Sequence, residues 1–128
     1  MKLLLVNLGR GRYAVAADVV ARILDPATEI DFHLENRSRE VTYRGSRIRV
    51  ASLHGEQQMA RVCVYLVLEV RGRRALLPVD DAEAIRDVPA AAIAPLPPFI
   101  FARQERSFRG VFSDRGEARL VLDVENIL

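Results

Sequence analysis

The chain has 128 residues and a mass of 14.4 kDa, half of it hydrophobic and 28% charged. That is one ordinary domain with enough apolar surface for a core, and it excludes a disordered chain. The net charge of +2 gives only a weak overall field, and a single cysteine excludes both a disulfide framework and a multi-cysteine metal site.

Taken in chain order, most of the sequence alternates with a period of two. Leu3 to Leu8 is a short apolar run that reaches Gly9-Arg10-Gly11 and resumes at Tyr13-Ala14-Val15, the pattern of a hairpin. Asp18 to Leu24 breaks the alternation. Val19, Val20, Ile23 and Leu24 fall on one helical face, with Asp18 as a cap and Pro26 as a stop, which predicts a short helix. Thr28 to Leu34 alternates Ile30, Phe32 and Leu34 with Glu29, Asp31 and His33, as a half-buried strand does. Val41 to Arg44 and Arg47 to Val50 flank Gly45-Ser46 as a second hairpin.

Val62 to Val70 is apolar except for Glu69, turns at Arg71-Gly72-Arg73 and returns through Ala75 to Val79. Asp80 to Asp87 reads as a second helical turn ending before Pro89. Pro89, Pro95, Pro97 and Pro98 make the next stretch an extended crossing segment. Ser107 to Phe112 and Glu117 to Val124 flank a last turn, with Gly116 placed for a positive φ. About nine short strands with frequent turns predict an all-β chain of small barrels or a sandwich, without a parallel α/β sheet.

The opening MKLLLVNLGRGR is not expected to be a signal peptide, because its apolar run ends after six residues and Arg10 and Arg12 follow at once. The uncharged stretch from Val88 to Ala102 carries four prolines and is not a spanning helix. The expectation is a soluble cytoplasmic protein with Cys63 as a buried thiol.

No catalytic, metal or cofactor site is expected. His33 and His54 lie on separate elements without ligand spacing. Cys63 stands between valines, where a nucleophile would need a nearby cation and some exposure. Asp80, Asp81 and Glu83 are the only candidates for a hydrolase, and a carboxylate cap on a helix explains them without chemistry. Arg37, Arg39, Arg44, Arg47 and Arg49 form the one basic concentration. It supports a small nucleic-acid-binding barrel as the alternative function, although only Tyr43 is interleaved for stacking and a solvated hairpin face is the commoner explanation.

Four blocks in order carry a family resemblance. LLLVNLGRGRYAVAADVVARILD, VTYRGSRIRVASL, LVLEVRGRRALLPVDDAEAIRDVPAAAIAPLP and FRGVFSDRGEARLVLDVENIL together resemble the CheW-like domain, nearly end to end. The resemblance implies two small five-stranded SH3-like β-barrels packed through an apolar seam, with one or two short helices. The whole chain would be one CheW-like domain, its second barrel drawn mainly from residues 60–128.

The resemblance also implies no catalysis and no cofactor. It implies an adaptor that couples a chemoreceptor's cytoplasmic tip to the regulatory domain of a CheA-type histidine kinase. The partner-binding residues carried over are Val20, Arg22 and Ile23 on the short helix with Tyr43, Arg44 and Gly45 on the central hairpin. The plainer reading of Val20 and Ile23 is inter-barrel core, and that of Arg44 a turn-flanking charge.

Three departures concern the receptor side. The family usually has an acid where this chain has Arg22, so Arg22 and Arg44 would repel unless an acid such as Glu40, or one from a partner, lies between them. HLENRSREVTYRG lacks the usual proline-containing linker, and Arg49-Val50-Ala51-Ser52-Leu53 replaces Pro-Val-x-Asp-Leu.

Overall fold

The computed structural model describes residues 1–24, 30–31, 40–51, 64–96 and 107–128. His33, His54, Cys63, Arg37, Arg39 and most of the strand expected over Thr28 to Leu34 lie outside them.

Eleven strands and one short helix occupy the described residues. They are β1 (Lys2–Leu8), β2 (Gly11–Ala16), β3 (Val20–Leu24), β4 (Ile30–Asp31), β5 (Glu40–Tyr43), β6 (Ser46–Val50), β7 (Val64–Val70), β8 (Arg73–Val79), β9 (Asp81–Asp87), β10 (Phe108–Asp114), β11 (Glu117–Leu122) and the helix α1 (Val124–Ile127). One sheet has the order β10-β11-β2-β1-β9 and the other β3-β7-β8-β6-β5-β4. Each curls around its own apolar cluster as a small open barrel of SH3-like packing. The five-stranded sheet joins residues 2–16 to 81–122, and the six-stranded sheet is built from 20–79. The stretch 60–128 therefore gives β7 and β8 to one sheet and β9 to β11 to the other.

Side-chain parity explains why β1, β7 and β8 are apolar at nearly every position. Leu3 and Leu5 point into the five-stranded barrel with Ala14, Phe112 and Val121. Leu4, Val6 and Leu8 point the other way, where they meet Leu66, Leu68, Leu77 and Val79 in a seam between the sheets. On β7, Tyr65 and Val67 face into the six-stranded barrel with Leu24, Tyr43 and Leu76, while Leu66 and Leu68 face the seam. A strand buried on both faces has no polar half. Each fully buried leucine or valine contributes about 1.5–3 kcal/mol.

Two expected helices are strands. Asp18 to Leu24 forms only a 3-10 turn, Ala17–Val19, before β3 pairs antiparallel with β7. Clustered β-branched residues suit a pleated edge better than a helix, and backbone bonds to β7 outweigh a marginal single turn. Of Asp80 to Asp87, Asp81–Asp87 is β9, antiparallel to β1 and alternating exposed with half-buried side chains. Asp80 caps no helix; its Oδ2 accepts the Gly9 amide at 2.7 Å and ties down the β1–β2 turn. Within the crossing segment, Ala90–Ala92 makes a 3-10 turn, and Ala94 then bridges to Val111. Gly110 permits that approach, since a Cβ there would lie 2.6 Å from Ile93 Cγ2 and 2.8 Å from the Ala94 carbonyl.

Three hairpins turn on the same dipeptide. Arg44-Gly45, Arg71-Gly72 and Arg115-Gly116 all have positive φ at both positions, the type I′ geometry that matches strand twist. Arginine is costly there, and asparagine visits that region more readily. Arg115→Asn is expected to raise the unfolding midpoint by about 2–4 °C, roughly 0.5–1 kcal/mol, in a thermal melt.

Candidate partner-binding groove

β3 and β9 are edge strands of different sheets, and a shallow groove of about 360 Å3 lies between them. Leu4, Ala17, Val20, Ala21, Arg22, Ile23 and Ile85 line it. A bulge between Val20 and Arg22 shifts the β3 register, re-aiming the side chains that follow. Ile23 is 51% exposed and Ile85 60% exposed, two of the three large apolar residues on the described surface. Val20 is partly buried against the seam, so core packing accounts for Val20 but not for Ile23.

The structure brings the expected residues together in two ranks. Val20, Arg22 and Ile23 line the groove itself. Tyr43 is only 2% exposed, inside the six-stranded barrel, and does not line the groove; its hydroxyl accepts a hydrogen bond from Arg22 Nη1 at 3.4 Å. Arg44 and Arg74 each set a guanidinium 5.5 Å from the Tyr43 ring centre. Gly45, with φ of 77°, completes the turn. Glu40 does not separate Arg22 from Arg44; it faces Arg47 at 3.9 Å. Arg22 meets the Tyr43 hydroxyl and Arg44 the ring.

Ile85 was not expected in the groove. Reading DDAEAIRD as a helical turn hides it, whereas the alternation Asp81, Glu83, Ile85 was the available signal. Arg49, from the basic run, donates to the Ile127 carbonyl, Arg71 pairs with Glu125 at 3.7 Å and Arg73 donates to the Leu128 carbonyl at 3.4 Å. These arginines of the six-stranded sheet grip α1 and its following residue.

A second concavity, about 620 Å3, opens at one end of the five-stranded barrel. Its centre is Arg119, 2% exposed, in phase with the inward-facing Val121. Arg119 Nη2 donates to Glu83, its Nη1 to the carbonyls of Val6 and Tyr13 and to Asn7 Oδ1, and its Nε lies 3.6 Å from Asp114. Arg86 meets Asp114 at 3.3 Å, and Arg12 pairs with Glu117. A bulge of β9 between its partners Leu5 and Val6 places Glu83 for this contact. The Arg119 hydrogen bond, helped by Asn7, holds the Glu83 carboxyl below its ordinary range despite some desolvation. A general acid needs the opposite shift. These ion pairs tie β1, β2, β9, β10 and β11 together at one end of the sheet. Among the described residues, no three His, Cys, Asp or Glu side chains are grouped to hold a metal, and no helix is long and apolar enough to cross a membrane.

A family model, the CheW-like domain, matches residues 2–128. The chain belongs to the CheW-like domain family. A search among curated proteins found no match. Among solved structures, this CheW-like domain is similar to the scaffolding protein TtCheW from Thermoanaerobacter tengcongensis, with a TM-score of 0.74 and 14% identity. The alignment covers 96% of this chain and 84% of that one, and at such identity it establishes a shared fold.

Proposed function

We propose that this CheW-like domain is a non-enzymatic adaptor of chemotaxis-type signalling in the cytoplasm. It couples a chemoreceptor's cytoplasmic tip to the regulatory domain of a CheA-type histidine kinase. The observation that carries the reading is the groove between β3 and β9, where Ile23 and Ile85 stand exposed beside half-buried Val20. Exposed apolar side chains flanking one concavity mark a protein contact. Family membership and the scaffolding role named for the Thermoanaerobacter protein support it. The engagement of Arg49 with α1 weakens the nucleic-acid alternative, because that guanidinium is already committed within the chain.

Calorimetry against the kinase regulatory domain and a receptor cytoplasmic hairpin from the same genome tests the proposal. Binding to both at micromolar protein is expected. Ile23→Glu and Ile85→Glu place charges on exposed positions, so folding should change by under about 0.5 kcal/mol. Receptor affinity should fall at least about tenfold. Absence of binding to both partners would remove the adaptor reading.

A further inference from the structure

We propose that α1 is a releasable strap, which opens while both barrels stay folded and in opening frees three paired arginines together. This step goes beyond the adaptor reading and does not depend on it.

α1 follows β11 of the five-stranded sheet, with Asp123 between them, yet it lies against β7 across the seam. Three arginines of the six-stranded sheet fasten it there. Arg49 on β6 donates to the Ile127 carbonyl, Arg73 on β8 donates to the Leu128 carbonyl at 3.4 Å, and Arg71 in the β7–β8 turn faces Glu125 at 3.7 Å. Arg49 and Arg73 thus satisfy carbonyls that a helix end leaves unpaired. Among the described residues, these three arginines have no other hydrogen bond or ion pair. Everything that neutralises them sits on one short segment.

The hold is shallow. Four residues make a single turn, far below the length at which a helix stands alone. Its first amides have no side-chain cap, because the Asp123 carboxylate accepts from Asn126 Nδ2 instead. Arg71 and Glu125 are both exposed, so water screens their attraction. Only Val124 is buried in the seam; Ile127 and Leu128 pack against it in part. Release therefore gives up one buried valine and a few surface contacts, while the strands on either side keep their ladders. Once α1 leaves, Glu125 and both acceptor carbonyls leave with it, and three guanidiniums on neighbouring elements repel one another and draw anions. Salt weakens the attraction that closes the strap and the repulsion that opposes its opening, so both changes favour release.

Native-state amide exchange of the full chain, followed by NMR at about 50 and about 500 mM salt, reads the opening. The Ile127 and Leu128 amides donate to the Asp123 and Val124 carbonyls, at 3.2 and 3.1 Å, while the strap is closed. Their protection should fall about three- to tenfold between the two salt concentrations. The Leu66 amide, in a strand paired on both sides, should keep its own within about twofold. Combining Arg49→Gln, Arg71→Gln and Arg73→Gln, all exposed positions, should produce a loss of the same size at low salt and remove the salt dependence. Arg12→Gln, which breaks an exposed ion pair with Glu117 on the other sheet, should change neither. The guanidinium Nε–H resonances of the three arginines should shift together along the titration. Protection of Ile127 and Leu128 equal to that of Leu66 would tie release to global unfolding and overturn the proposal. So would no protection of the two amides at either salt, unchanged protection in the triple variant, or guanidinium shifts at separate salt concentrations.

Discussion

Arg119→Met is expected to lower the unfolding free energy by about 3–5 kcal/mol, measured by denaturant titration. Methionine keeps much of the volume, so the loss is chiefly electrostatic. The carbonyls of Val6 and Tyr13 lose a donor, and Asp114, itself largely buried, loses a counter-charge at 3.6 Å. Glu83 is more exposed, and solvent screens its share. Adding Asp114→Asn to Arg119→Met should cost less than the two single changes together, because they act in one network. The natural chain should also be the more acid-sensitive of the two. Arg119 lowers the Glu83 pKa from its ordinary 4.5, so the stabilisation is complete above that value and fades as pH falls through the lowered one. Arg119→Met removes that part of the acid dependence. Equal acid profiles in the two proteins would contradict the network.

Leu66→Ala should be nearly as damaging, at about 3–5 kcal/mol, for a different reason. Leu66 is fully buried and faces the seam, so the cavity opens between the two barrels rather than inside one. Because each sheet uses the other as the cover for half its apolar side chains, neither is expected to outlast the other. Tyr13 from one sheet and Tyr65 from the other should report a single coincident transition. Two separated transitions would show that the barrels are independently stable.

Much of this architecture is legible in the sequence. Each of the described hairpins stands where apolar runs meet a Gly-containing turn, and the seam is already implied by runs such as VYLVLEV, too apolar for a one-sided sheet. The misread segments are the two edge strands. VVARIL and DDAEAIRD are short, and their apolar residues fit both a helical face and a bulged strand. Only the long-range partners, β7 for one and β1 for the other, decide between them, and local pattern does not carry that information. The groove shared this fate. Val20, Arg22 and Ile23 are found from resemblance, while Ile85 depends on the strand that was read as a helix. Arg119 is hidden for another reason: in EARLVL it looks like one more surface arginine, and only the curl of the sheet turns its phase with Val121 inward.

The pairing of β1 and β2 with β9 to β11 has a kinetic side. During synthesis the β1–β2 hairpin emerges with both apolar faces bare, and the strands it pairs with along its edges, β9 and β11, are made after β3 to β8. The contiguous β3–β8 unit finishes sooner and offers the hairpin a surface to rest on. Completion of the five-stranded sheet then waits on β9 to β11. Until they arrive, a half-built sheet with unpaired margins is the species most exposed to aggregation or to capture by a chaperone.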